Sequence, residues 1–191
     1  MQEHVVLVSD DGRAVGSAPK ASVHHEDTPL HLAFSCYVFS ERGRFLLSQR
    51  ALTKRTWPGI WTNTCCGHPL PGEDMHSSVA RRLSDELGLA ADRIDLILPA
   101  FRYRARMANG ITENELCPVF RVVTSSAPAP VAAEVAATRW ISWASLGRVV
   151  AAGRFEVSPW CRAQLSALAA IGPDPLAWPA ADPGELPAAA R

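Results

Sequence analysis

Apolar residues along the chain fall mostly into short runs broken by turn residues, with a single stretch at helical spacing. Val5–Val8 predicts a strand, and Asp10-Asp11-Gly12 a turn after it. His31–Ser40 predicts a second strand, with Glu41-Arg42-Gly43 as the turn into a return strand over Phe45–Leu47. A loop holding Lys54, Trp57, Pro58 and Gly59 leads to another short strand, Trp61–Thr64. Val79, Leu83 and Leu87 recur every four residues, so Asp74–Leu87 predicts an amphipathic helix that Gly88 ends. Phe101–Arg104 and Glu113–Val123 predict two more strands around the turn Ala108-Asn109-Gly110, and Thr138–Trp143 a last one. Ser125–Ala137, rich in Ala and Pro, reads as a mobile loop. From Gly172 onward five prolines punctuate an alanine-rich stretch, which predicts a flexible, dispensable tail over 172–191 behind one domain over 1–171.

Composition narrows the class without changing that outline. A chain of 191 residues is long enough for one domain with a real core. Nineteen basic and nineteen acidic residues cancel, so no overall field draws nucleic acid or an anionic membrane. The start, Met1-Gln-Glu-His-Val-Val-Leu-Val, lacks the basic and long apolar segments of a leader peptide, and no run has the ~20 apolar residues of a membrane span. Five cysteines at irregular spacing argue against a disulfide framework and for a reducing cytoplasm. The expectation is a soluble, cytoplasmic α/β (α+β) domain.

Strand alternation then picks out chemistry. In extended chain residues i and i+2 share a face, so Cys66 and His68 point one way while Cys65 points the other. Glu113 and Glu115 likewise share a face that Asn114 and Leu116 do not. His24 and His31 are seven apart, but the intervening Glu26-Asp27-Thr28-Pro29 is turn-like and can fold one back on the other. Three imidazoles and two carboxylates would form an N3O2 set suited to Zn2+, Mn2+ or, less naturally, Mg2+. On the predicted helix Arg82 and Glu86 are one turn apart, which pairs a phosphate-binding cation with a carboxylate for a hard metal ion.

Residues 67–89 follow the Nudix box: Gly67, five residues, Glu73, seven residues, Arg81, then a helix ending Glu86-Leu87-Gly88-Leu89. Arg82 and Asp85 depart from it, standing where a Nudix pyrophosphohydrolase carries glutamates. An arginine there neutralises the carboxylate cluster that activates water, which weakens the case for hydrolysis. The wider set of motifs resembles the type I isopentenyl-diphosphate isomerase family, a branch of the Nudix fold. It is carried by His24, His31-Leu-Ala-Phe-Ser, Arg50-Ala-Leu-Thr-Lys54, the run Trp57-Pro-Gly-Ile-Trp-Thr-Asn-Thr-Cys-Cys-Gly-His-Pro69, Phe101-Arg-Tyr-Arg104, Glu113-Asn-Glu-Leu-Cys-Pro-Val-Phe120 and Ser158-Pro-Trp160. Together these span about residues 4 to 165.

The resemblance implies a Nudix-type mixed β-sheet sandwich flanked by helices. It implies a catalytic thiol at Cys66 and a catalytic carboxylate at Glu115, with Tyr103 beside it. A first metal site, for Mn2+, Zn2+ or Mg2+, falls on His24, His31, His68, Glu113 and Glu115. A second, for Mg2+ arriving with the substrate diphosphate, falls on Glu86 and the Cys66 carbonyl. Phosphate contacts fall on Lys20, Arg50, Lys54 and Arg82, and Trp160 lines the hydrocarbon pocket. The partner implied is a small prenyl diphosphate, with neither nucleic acid nor membrane, on a monomer or weak homodimer.

Two other readings make different predictions. A Nudix hydrolase of a nucleoside or prenyl diphosphate would release phosphate and be indifferent to Cys66→Ala. A non-catalytic diphosphate-binding module would show no turnover to lose. Cys36, Cys117 and Cys161 read as buried small hydrophobes, and Trp57, Trp61, Trp140 and Trp143 as core. Arg102, Arg104 and Arg106 alternate on one strand face and, with zero net charge, read as a solvated or structural face rather than an RNA site.

Overall fold

The computed structural model of the chain describes residues 3–191. Met1 and Gln2 lie outside the described residues. Two mixed sheets share the strands. One holds β1 (His4–Val8), β2 (Ala14–Pro19), β3 (His31–Leu32), β9 (Arg102–Arg106) and β10 (Thr112–Leu116), in the order β2-β1-β3-β10-β9. The other runs β12 (Val135–Ser142), β5 (Arg44–Arg50), β4 (Phe34–Ser40), β11 (Val119–Thr124), β8 (Arg93–Leu98), with β6 (Trp61–Thr62) on β5 and β7 (Cys65–Gly67) on β4. Four α-helices accompany them among the described residues: α1 (Lys20–Val23), α2 (Met75–Leu87), α3 (Trp143–Ala151) and α4 (Pro159–Ile171). This is the mixed-sheet sandwich with flanking helices that the motifs imply.

Two of the predicted strands are each broken in two, and the breaks create the site. The stretch His31–Ser40 divides at Ala33 into β3 of the smaller sheet and β4 of the larger. Glu113–Val123 divides at Cys117-Pro118 into β10 and β11, where proline has no N–H to continue a ladder. Both halves remain parallel neighbours, β3 with β10 and β4 with β11. The pair therefore crosses between sheets together, held by Ala33 N–H donating to Leu116 O at 2.9 Å and Cys117 N–H to Phe101 O at 2.7 Å. Glu113 and Glu115 of β10 line one cavity with Cys66 and Gly67 of β7 and Trp160 of α4.

Strand β4 is buried on both faces, and its period of two sorts its side chains. Phe34, Cys36 and Val38 join the cluster under α2, whereas Tyr37 and Phe39 join the one under α3 and α4. Helix α2 forms as its pattern predicts. Asp74 caps it by accepting from Ser77 N–H at 3.0 Å. Gly88, at φ +61°, closes it in the left-handed region that favours glycine. Its face of Met75, Val79, Leu83 and Leu87 is fully buried. At the entry to the helix Arg81 clamps Glu73 through two bonds of 2.7 Å, and this holds the Glu73 carboxyl down to about 2.

Alanine- and proline-rich composition misled the sequence reading twice. The segment before β12 is tied to the end of α2: Ala129 and Val131 donate their N–H groups to the carbonyls of Leu87 and Glu86, which the helix leaves without partners. The expectation of a loose tail over 172–191 is also corrected, because residues beyond 172 pack along the domain. Trp178 is 3% exposed and meets Trp143 and Phe39 edge-on, with Nε1 donating to Gly172 O at 2.9 Å. Buried Arg121 donates from Nη1 to the carbonyls of Pro175 and Trp178, both at 2.8 Å, while Asp95 takes its other nitrogens. Leu186 and Ala190 reach the core below α2. Two apolar anchors and one buried guanidinium thus order a stretch whose average composition predicts disorder. Trp178→Ala is expected to cost about 3 kcal/mol, the usual scale for emptying a buried tryptophan site, measured by urea unfolding; an unchanged midpoint would return the tail to a dispensable role.

Candidate active site

A cavity of about 430 Å³ opens between the two sheets, walled by β7, β9, β10, α1, α2 and α4. Every residue singled out from the sequence lines it except His31, which is 0% exposed and stands behind His24 and His68. The site has three zones.

At its floor three imidazoles converge on one carboxylate oxygen. His68, His31 and His24 present Nε2 to Glu115 Oε1 at 3.3, 3.6 and 4.0 Å. Their ring centroids lie 5.1 to 5.7 Å apart. Sheet register produces this: Glu115 lies opposite His31 on one side and Tyr103 on the other, in adjacent strands. The four donor atoms all fall within 4.8 Å of one another. Each Nε2 is buried without a hydrogen-bond partner, an arrangement costly unless a cation completes it. His31 Nδ1 sits 2.9 Å from Pro29 O, so Nδ1 carries the proton and Nε2 offers its lone pair to the centre. The donor set fits a divalent ion. Glu113 belongs to the wall of this zone but not to the tight four-atom group.

Burial and neighbours set the charges here in opposite directions. Burial resists the charged form of Glu115, but the three imidazoles that face it outweigh burial and hold the carboxyl well below its ordinary range. Glu113 moves up, through burial and then the adjacent Glu115 charge. Burial carries His68 down to about 4, so its imidazole is neutral, as a metal ligand must be. Tyr103 Oη donates to Oε2 of both Glu113 and Glu115 at 2.8 Å. Burial and those two charges push the phenol well up, so it stays protonated.

The second zone holds Cys66. Alternation along β7 puts Cys65 in the core under α2 and Cys66 at the cavity wall. Burial raises the thiol above its usual range, against hydrogen bonds from Ser35 and Asn63 that act to lower it. Gly67 beside it permits a close approach: a Cβ there would lie 2.8 Å from Arg82 Cγ and 2.9 Å from Phe34 Cζ. Trp160, 1% exposed, forms the next wall. Its indole Nε1 donates to Asn63 Oδ1 at 2.9 Å, and its ring meets Tyr103 at 5.8 Å and Trp57 at 5.4 Å.

The third zone is charged. Lys20 pairs with Glu3 at 2.6 Å, Lys54 with Glu134, and Arg82 with Glu86. Arg50 donates to Thr56 and lies 5.6 Å over the Trp160 ring. Arg82 Nε is buried and unpartnered in the cavity wall. Four cations and the buried Glu86 carboxylate thus line one cavity, a combination with the chemistry to bind a metal-bound polyphosphate.

Sequence reasoning missed Asn63, which links the thiol to the indole, and Glu134, which reaches Lys54 and Arg82 from the supposed mobile loop. Neither carries a local signal. Glu134 is the lone acid in an Ala/Pro stretch, and the partners of Asn63 include Trp160, 97 residues away.

Known proteins resemble this chain in sequence and in fold. A NUDIX domain model matches residues 29–161. The isopentenyl-diphosphate Delta-isomerase of Saccharopolyspora erythraea is 57% identical over 98% of this chain and 97% of that protein. The chain belongs to the isopentenyl-diphosphate Delta-isomerase family. The family's protein of the same name from Rhizobium rhizogenes is 50% identical over 99% of this chain and 91% of its own length. Among solved structures, a Deinococcus radiodurans protein superposes with a TM-score of 0.64 at 16% identity, covering 84% of this chain and 96% of that one. A MutT protein of Methanosarcina mazei gives 0.56 at 20% identity, over 74% and 94%. These two share the fold alone.

Proposed function

We propose that the chain converts isopentenyl diphosphate to dimethylallyl diphosphate and back, by adding a proton at the terminal alkene carbon and removing one from the allylic carbon. The observation that carries this reading is the placement of a thiol and a carboxylate on different sheets facing one cavity. Cys66 comes from the larger sheet and Glu115 from the smaller. A double-bond shift needs two proton-transfer groups at two carbons of one bound molecule. Hydrolysis adds or removes no proton at carbon.

Each zone then has a task. Lys20, Arg50, Lys54 and Arg82 hold the diphosphate, and Glu86 would hold the Mg2+ that accompanies it. Anchoring that end fixes the hydrocarbon between Cys66 and Glu115, which contributes orientation rather than chemistry. Trp160 and Tyr103 exclude water from the chain. The indole face stabilises the tertiary carbocation by on the order of 0.5 to 2 kcal/mol. Glu115 Oε1 is committed to the histidines, so the proton on that side passes by Oε2 or by the Tyr103 hydroxyl bonded to it. His24, His31, His68 and Glu115, with Glu113 alongside, would hold a Mn2+, Zn2+ or Mg2+ ion, whose charge fixes the carboxylate and tunes its acidity. Arg82, by neutralising Glu86, keeps this end of the box a phosphate seat rather than a site of water activation.

The surroundings support a small-molecule enzyme of the cytoplasm, monomeric or weakly dimeric, with no nucleic-acid or membrane partner. Its net charge is zero and all five cysteines are free. Among the described residues no helix is long and apolar enough to cross a membrane. The test is incubation with isopentenyl diphosphate and Mg2+, followed by proton and phosphorus NMR. Dimethylallyl diphosphate should accumulate to an equilibrium mixture with no phosphate or pyrophosphate released. Phosphate release without isomerisation would establish the hydrolase instead.

A further inference from the structure

Behind the thiol runs a line of buried hydrogen bonds that neither the diphosphate seat nor the histidine centre requires. Tyr37, on β4, donates from Oη to Gln164 Oε1 at 2.9 Å, and Gln164 Nε2 donates to Ser35 Oγ at 2.9 Å. Ser35 Oγ lies 3.4 Å from Cys66 Sγ and 3.4 Å from Cys117 Sγ. Tyr37 and Gln164 are 0% exposed and Ser35 is 1% exposed, so bulk water does not complete the set.

The chemistry of the groups fixes a direction. An amide oxygen only accepts and an amide nitrogen only donates. Turning the Gln164 amide over would leave the Tyr37 proton only Cys161 Sγ, at 3.7 Å. With the amide placed as it is, Ser35 Oγ accepts a hydrogen bond from Gln164 Nε2 and has its own proton left to donate. Both acceptors within its reach are sulfurs. Cys117 is wholly buried, whereas Cys66 lines the cavity and is the cross-strand partner of Ser35 in the β4–β7 ladder. Asn63 Nδ2 approaches the same sulfur at 3.2 Å.

We infer that Gln164 and Ser35 are positioning residues for the thiol: Gln164 turns the serine hydroxyl toward Cys66 Sγ, which fixes the sulfur so that its proton, or the lone pair left when the proton goes, points into the cavity. Helix α4 serves both halves of the site. Trp160 and Gln164 are one turn apart, so one helix face lays the indole against the hydrocarbon and aligns the sulfur behind it. A buried donor line of this kind is effective because unmatched polar groups are so costly there that few alternative arrangements compete.

This inference rests on the proposed role of Cys66, and the test separates the two. Isomerisation of isopentenyl diphosphate with Mg2+ is measured for Ser35→Ala, Gln164→Met and Cys66→Ala, together with thermal unfolding of each. Ser35→Ala and Gln164→Met should each lower kcat on the order of 10- to 100-fold, the usual loss when a partner orienting a reacting group is removed. KM should stay within about two-fold, because diphosphate binding is untouched. If Ser35→Ala does not fold, Gln164→Met, close to isosteric, tests the same link. Unchanged kcat in these variants beside an inactive Cys66→Ala would overturn the inference alone. So would kcat, KM and unfolding midpoint all shifting together, which marks a structural role. Full turnover by Cys66→Ala would overturn the role of the thiol, and this inference with it.

Discussion

Cys66→Ala is expected to lose isomerisation by on the order of 10³-fold, within the range for removing a proton-transfer group, while retaining its fold and its capacity for metal. The sulfur reaches the cavity, and its neighbours Ser35 and Asn63 can keep their other partners when it is gone. The four donor atoms at the floor of the site do not include it. Activity should therefore fall without loss of bound metal or a large change in unfolding midpoint. Steady-state kinetics beside metal analysis of the purified variant checks this. Retained turnover would remove the thiol from the chemistry.

Glu115→Gln is the second large effect, and it differs in kind. The amide keeps the shape but cannot ionise, so activity should fall by on the order of 10³-fold as a proton-transfer group is lost. Here the capacity of the histidine cluster for a divalent ion should fall as well. Glu115 Oε1 is the anion toward which three otherwise unpartnered imidazole nitrogens point. Without its charge, affinity for a divalent ion should drop at least ~10-fold, since a hard carboxylate ligand has gone. Titration of Mn2+ into both proteins, followed by calorimetry, reads this directly. Equal affinities would place the metal elsewhere. Tyr103→Phe should weaken turnover less, because Glu115 keeps its histidines when the phenol is removed.

Much of the site was legible because local periodicity carries it. Strand alternation separated Cys66 from Cys65, and helical spacing put Arg82 and Glu86 together; both hold in the structure. The helix ends, Asp74 and Gly88, were legible for the same reason, since caps are local. What periodicity does not report is where a strand changes sheets. His31–Ser40 is apolar enough to read as continuous, and only the crossing at Ala33 puts His31 beside Glu115 in the smaller sheet while Phe34–Ser40 runs through the core of the larger. The packed tail was illegible because average composition weighed its prolines and alanines, whereas two anchors, Trp178 and Leu186, decide the outcome. Ser35, Gln164 and Asn63 escaped notice because their partners are distant in the chain; Gln164 meets Ser35 across 129 positions.

The claim that two separate groups move the protons is tested most directly by initial-rate isomerisation in D2O, with the product analysed by NMR and mass spectrometry. If Cys66 and Glu115 act at different carbons, the proton added is drawn from one group and the proton removed goes to the other. Each dimethylallyl diphosphate formed in the first turnovers should then carry one deuterium in its new methyl group, with none of the abstracted hydrogen returned there. Early product that retains the substrate's own migrating hydrogen would mean that a single group shuttles it, and would contradict the account.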